Sequence, residues 1–289
     1  MNILIQNAHV LLFEPAFEVK RTDVYVSGSL IASIGQPPTP GFIPDKTLDG
    51  RGKLLMPGLV NCHTHLYMTV MRNYADDLSF GEWLFERIMP KEDLITPEDA
   101  YWCNLLSCLE MIRSGTTCYL DMHMFRHQSI RASQEAGMRA ILSRGIVGDS
   151  ADDDAAISRL QDTLDELDAA GQHDGRVHCM LGPHAIYTCG EALLCHLRQV
   201  ALEKGLRLHI HLAETQTEFN DAMEKYGCSP TEYLARLGVF DAPTVAAHGV
   251  YLTDNDIAIL KQYGVSIATN PVSNMKLGNG FAPIPKLLK

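Results

Sequence analysis

Leu54-Leu55-Met56-Pro57-Gly58-Leu59-Val60-Asn61-Cys62-His63-Thr64-His65-Leu66 decides the fold. The apolar run over 54–61 reads as a buried strand. His63 and His65 stand at its C-terminal end, two positions apart. Side chains along a strand alternate faces with a period of two, so both imidazoles point the same way and Cys62 points away. Two imidazoles converging at a strand mouth can hold one divalent metal, and neutral imidazole suits zinc or iron. Taken alone, the pair is equally compatible with partly buried histidines satisfied by hydrogen bonds.

Downstream of this strand the sequence repeats its logic. Apolar segments at 115–121, 138–146, 176–182, 206–213, 243–248 and 264–270 read as further strands, with helical stretches between them. Thr96-Pro97-Glu98-Asp99 opens one helix, with a capping threonine, proline in the first position and acids in the first turn. Asp152 to Ala170, rich in acids at helical spacing, reads as a solvated helix. Strand and helix in alternation imply parallel strands with crossover helices, either a doubly wound sheet or a TIM barrel. Polar residues recurring at the C-terminal strand ends favour the barrel, where such folds keep their active sites. Seven strands are found where a closed barrel has eight, and the sequence stops at Pro283-Ile284-Pro285-Lys286-Leu287-Leu288-Lys289. Ahead of the barrel, Ile3–Phe13, Asp23–Ile34 and Thr47–Lys53 are β runs punctuated by Gly28, Gly35, the loop from Pro37 to Gly41, and Gly50. The organisation expected is an α/β chain: 1–53 as a portion of a small N-terminal β-sandwich, and 54–289 as an incomplete TIM-type barrel of about seven strands.

The remaining candidates follow the strand ends. His211 closes the fifth strand and is the third imidazole. His209 faces the same side one layer deeper and reads as a core histidine with a hydrogen-bond partner. Glu214 begins the following loop, where a carboxylate can shuttle protons or simply favour a helix's first turn. His248 ends strand six and His184 follows strand four. His63, His65, His184, His211 and His248 thus end four separate strands, which twelve scattered histidines rarely do. His123 reads as a solvated loop residue. His127, His173, His178 and His196 carry no signal, and Gly278-Asn279-Gly280 reads as a turn. Asp76-Asp77 and Glu92-Asp93 read as exposed charge.

Composition narrows the partners. A formal charge of -11 with scattered Lys and Arg argues against nucleic acid and anionic membranes. No apolar stretch approaches the ~20 residues of a membrane span, and Met1–Asn7 lacks the basic start of a signal peptide. Eight cysteines without a CxxC pair read as reduced thiols in a cytoplasm.

The motifs PGLVNCHTH, HIHLAET and AHGVYL, behind a β layer, resemble the amidohydrolase superfamily along nearly the whole chain. Tyr67–Arg72, Leu78–Leu84 running on to Glu92, and Asn270–Gly278 resemble its 5'-methylthioadenosine/S-adenosylhomocysteine deaminases. Triazine hydrolases and guanine or cytosine deaminases share the metal motifs. The resemblance implies hydrolysis of adenosine-type nucleosides to inosine-type products and ammonia. It implies one divalent metal, zinc before iron, on His63, His65 and His211. It implies Glu214 as proton shuttle, His248 beside the attacking hydroxide, Glu92 on the ribose hydroxyls, and His184 and Arg144 on the nucleoside and its tail. No lysine on strand four is available to bridge two metals, so one metal is implied. The partner expected is a small nucleoside, with a homo-oligomer left open. One departure stands out. The family's aspartate at the end of strand eight has no counterpart after His248, and Asp254 and Asp256 precede strand seven. The 289 residues therefore resemble the N-terminal two-thirds of such an enzyme, expected on their own to be poorly soluble or oligomeric and to show little activity.

Overall fold

The computed structural model describes residues 1–125, 127–171 and 175–289. His173 lies outside the described residues. The chain divides into two compact units, Met1–Leu59 and Val60–Lys289.

The first unit is one five-stranded sheet. Its strands are β1 (Asn2–Leu12), β2 (Glu18–Ser27), β3 (Leu30–Ile34), β4 (Lys46–Asp49) and β5 (Leu54–Leu55). They lie in the order β3-β2-β1-β4, with β5 also against β1. The run read as 23–34 is two antiparallel strands, because Gly28, at φ +63°, turns the chain between them. The run read as one buried strand over 54–61 is also two elements. Leu54 and Leu55 pair with His9 and Val10 of β1, so the small unit extends past residue 53. The core of this unit is small, built on Ala8, Val10 and Val24.

The second unit holds seven strands in sequence order: β6 (Leu59–Thr64), β7 (Thr116–His123), β8 (Arg139–Ile146), β9 (Val177–Pro183), β10 (Leu208–Leu212), β11 (Thr244–His248) and β12 (Ser266–Ala268). From β7 to β12 each pairs in parallel with the next. The result is a nearly closed seven-stranded parallel barrel, with β6 and β12 as the outermost strands. Leu59 and Val60 are 50% and 60% exposed rather than buried, because β6 has a neighbour on one side only. The central strands β9 to β11 are wrapped by helices, and Leu181, Leu197, Leu208, Ile210 and Leu212 form the floor of the largest core.

Helix Pro97–Ser114 starts on the expected capping box, Thr96 with Asp99, and ends at Gly115. Helix Asp154–Gly171 is less solvated than its acids suggest. Glu166 is buried, with Oε2 3.3 Å from Nε2 of an equally buried His123. His123 is therefore no solvated loop residue: β7 runs two residues beyond its expected end and carries it inside. Asp256 is likewise committed, accepting from Thr253 N at 2.7 Å and from the Ser229 hydroxyl as a buried helix cap. Among the described residues no helix is long and apolar enough to cross a membrane.

Candidate active site

The strand ends place their histidines together. Ring centroids lie 4.8 Å apart for His63 and His65, 4.8 Å for His63 and His211, and 5.5 Å for both His63–His248 and His211–His248. One ligating nitrogen from each of His63, His211 and His248 lies within 4.8 Å of the others, the one such group of three among the described residues. His65 joins through His211, their Nε2 atoms being 3.3 Å apart. Cys62 is exposed on the opposite face, as the period-two alternation requires.

Hydrogen bonding shows what the group is suited to hold. His65 Nδ1 donates to Met122 O and His211 Nδ1 donates to His184 O, both at 2.9 Å. A neutral imidazole has one N–H, so both Nε2 atoms present lone pairs. Two lone pairs facing each other at 3.3 Å repel unless a cation lies between them. Two ~2.1 Å bonds at a tetrahedral metal would set the nitrogens about 3.4 Å apart. The residues present therefore fit a divalent metal. Burial keeps the imidazoles neutral. It pushes His63 and His211 well below the ordinary 6.5, helped by His211 and His184 respectively, and pushes His248 to about 4.

His248 ends β11 at φ +77°, a left-handed conformation unusual for a residue with a side chain, and Gly249 follows at φ +59°. His248 Nδ1 lies 2.9 Å from Asn274 Oδ1 and 3.5 Å from Glu214 Oε1. Glu214 is buried, and burial together with Glu218 raises its carboxyl to about 8. Asn279 Nδ2 donates to its Oε1 at 3.3 Å. Asn274 and Asn279 had no place among the site residues expected from sequence, and Gly278-Asn279-Gly280 read only as a turn. For Asn274 the signal lies in Asn270–Gly278, a stretch of family resemblance.

A cavity of about 990 Å³ opens from this cluster. His184 and Glu92 line it. His184 Nδ1 is held by the Thr188 hydroxyl at 2.9 Å. Glu92 is no exposed acid: Tyr67 donates to its Oε1 at 2.6 Å, and burial raises its carboxyl above the ordinary range. Trp83, Phe80 and Tyr187 add aromatic wall. Arg144 does not reach the cavity. Its guanidinium is held by Met124 O and lies 3.1 Å from Asp162 Oδ2, because its position on β8 turns it toward helix Asp154–Gly171. Arg159, on that helix, lines the cavity instead. Two other lining cations are paired: Arg72 with Glu110 at 2.8 Å and Lys276 with Asp76 at 2.6 Å.

Strand-end imidazoles thus stand beside a buried carboxylate on a parallel barrel. The chain belongs to the amidohydrolase family, whose pattern matches residues 54–289. It is 45% identical, over its whole length, to a 5-methylthioadenosine/S-adenosylhomocysteine deaminase of Caldanaerobacter subterraneus subsp. tengcongensis, and spans 66% of that relative's length. Its fold matches an adenosine deaminase from Xanthomonas campestris with bound zinc, with a TM-score of 0.90 and 32% identity over 99% of this chain and 66% of the other. An atrazine chlorohydrolase from Arthrobacter aurescens, complexed with zinc, matches with a TM-score of 0.87 and 25% identity over 99% of this chain and 69% of the other.

Proposed function

We propose that this site deaminates adenosine-type nucleosides with an extended 5' substituent, 5'-methylthioadenosine and S-adenosylhomocysteine, to inosine-type products and ammonia. The observation that carries the reading is one cavity with two equipped sets of lining residues. The histidine cluster and Glu214 line it, and so do Glu92 under Tyr67, Trp83 and Arg159. The deaminase names of the relatives support it.

His63, His65 and His211 would hold the metal, zinc by its donor set with iron the alternative. When bound, it supplies the Lewis acidity that makes water nucleophilic near neutral pH. Glu214 carries a proton at neutral pH and gives it to purine N1 as the C6–O bond forms. His248 takes the water's proton through the Nε2 that Asn274 leaves unprotonated. That proton goes to the amino group, the C6–N bond breaks and ammonia leaves, while the remaining C6–OH proton returns to the Glu214 carboxylate and C6=O forms. Glu92 has Oε1 occupied by Tyr67 and offers Oε2 to the ribose hydroxyls. Arg159, the lining cation with no ion-pair partner among the described residues, suits the carboxylate of an amino-acid tail. Eight free cysteines support a cytoplasmic setting. The 289 residues by themselves are proposed to turn over slowly, since the group of three possible ligands is all histidine among the described residues.

The test is the order of kcat/KM for ammonia release after zinc loading. Methylthioadenosine and adenosylhomocysteine should exceed guanine, cytosine and an aminotriazine by at least ~10²-fold. A preference for a free base or a triazine would replace this reading by another hydrolase of the family.

A further inference from the structure

His209 has no part in the chemistry above, yet it sits in the middle of a hydrogen-bonded chain that ends on His63. Its Nε2 lies 2.9 Å from His63 Nδ1, and its own Nδ1 lies 2.7 Å from the Ser143 hydroxyl. The Ser143 hydroxyl lies 3.2 Å from the carbonyl of Asp121. His209, Ser143 and Asp121 are fully buried, on β10, β8 and β7.

Each neutral imidazole carries one proton and so does the hydroxyl, which leaves two self-consistent arrangements. In one, Ser143 donates to Asp121 O, His209 Nδ1–H donates to Ser143, and His63 Nδ1–H donates to His209 Nε2. His63 Nε2 then bears a lone pair. In the other every proton is reversed, His63 carries its proton on Nε2, and it cannot bind a cation there. The Asp121 carbonyl has no proton to give and can only accept. It draws the serine proton and selects the first arrangement.

We propose that His209, backed by Ser143, is a positioning residue that fixes the tautomer of His63 and so prepares it as a metal ligand. The inference rests on the reading of His63 as a ligand. Partners of this kind, hydrogen-bonded to a ligating imidazole, are typically worth ~10–100-fold in metal affinity.

The experiment is zinc competition against a chromophoric chelator on the purified 289-residue chain. Circular dichroism and thermal midpoints confirm folding of each variant. His209→Gln, whose amide oxygen can accept from His63 Nδ1–H, should bind zinc within about threefold of the parent. His209→Leu should bind ~10–100-fold more weakly, and Ser143→Ala should fall between. In the zinc-free parent, long-range 1H–15N spectra should show His63 protonated at Nδ1. Zinc binding by His209→Leu as tight as the parent's would overturn the proposal. So would equal losses for Gln and Leu, or a His63 proton on Nε2. If His209→Leu does not fold, the affinity of Ser143→Ala and the parent's tautomer decide. Unchanged affinity in His63→Ala would instead reject His63 as a ligand, a separate failure.

Discussion

The cavity is lined by two sets of residues that stand on different material. In the first, His63, His65, His211 and His248 stand on strand ends, and each ring is tied to a partner: His209, Met122 O, His184 O and Asn274. In the second, the wall comes from a short 3-10 turn, Leu66–Met71, an irregular helix, Glu82–Ile88, and the turn Met89–Glu92. Those pieces are held largely through side chains: Asp121 accepting from Leu66 N at 2.9 Å, Thr69 with Ser107 at 2.6 Å, Tyr67 to Glu92, and the ring pair Phe80 and Trp83, 6.2 Å apart. Laddered strands fix an atom through many backbone bonds, whereas an irregular turn is fixed by its side chains. Bond-making chemistry suits the first set, and choice of substrate suits the second.

The largest effect expected is in the set on the strand ends. Glu214→Gln keeps the shape and loses the proton, so turnover should fall ~10²–10⁴-fold while zinc affinity stays within about threefold. Zinc loss measured in the same preparation would make Glu214 a ligand and blur the division.

The next effect concerns the tie between a strand end and the helix that carries Arg159. Burial lowers the affinity of His123 for a proton, but Glu166 and Asp121 outweigh it and leave its pKa raised above 6.5. Burial raises Glu166, but His123 outweighs it and leaves its pKa below 4.5. The histidine's contribution is full below 6.5 and fades as pH climbs through its raised value. The glutamate's is full above 4.5 and fades as pH falls through its lowered value. The pair therefore stabilises most between pH 4.5 and 6.5. His123→Gln should cost about 3 kcal/mol in urea unfolding in that window and less at pH 8 and above. A cost that does not vary with pH would mean the pair is not charged.

In the set on the irregular segments, Glu92→Ala should lower kcat/KM for methylthioadenosine by ~10²-fold, with a free purine base affected less than threefold. Equal losses would move Glu92 into the chemistry. Smaller still, Arg159→Leu should cost adenosylhomocysteine ~10–50-fold, as expected for one charge-assisted bond, and methylthioadenosine about twofold. Equal losses there would make Arg159 a wall residue without a tail to hold.

The same contrast explains what the sequence made legible. All seven barrel strands were visible as apolar runs, and the histidines at their mouths could be placed by period alone. The run at 54–61 misled because Pro57-Gly58 splits it: its first residues serve the small sheet and its last form the edge of the barrel. Arg144 was misplaced because a strand's sequence does not say which neighbouring helix claims a long side chain. Arg159 was not singled out because an arginine on an acidic helix reads as solvated. His123 and Glu166, 43 residues apart, meet only through the β7–helix contact, which no local pattern announces. His209 was correctly placed one layer deeper, but its bond to His63 became visible only when strands β6 and β10 were brought together.

The division is tested most directly by zinc titration of the 289-residue chain beside two variants, one from each set. The parent should bind one equivalent. His211→Ala should weaken zinc by more than ~10³-fold, since it removes a ligand, and Glu92→Ala should leave it within about threefold. A parent that binds no zinc, or a Glu92→Ala loss as large as that of His211→Ala, would contradict the account.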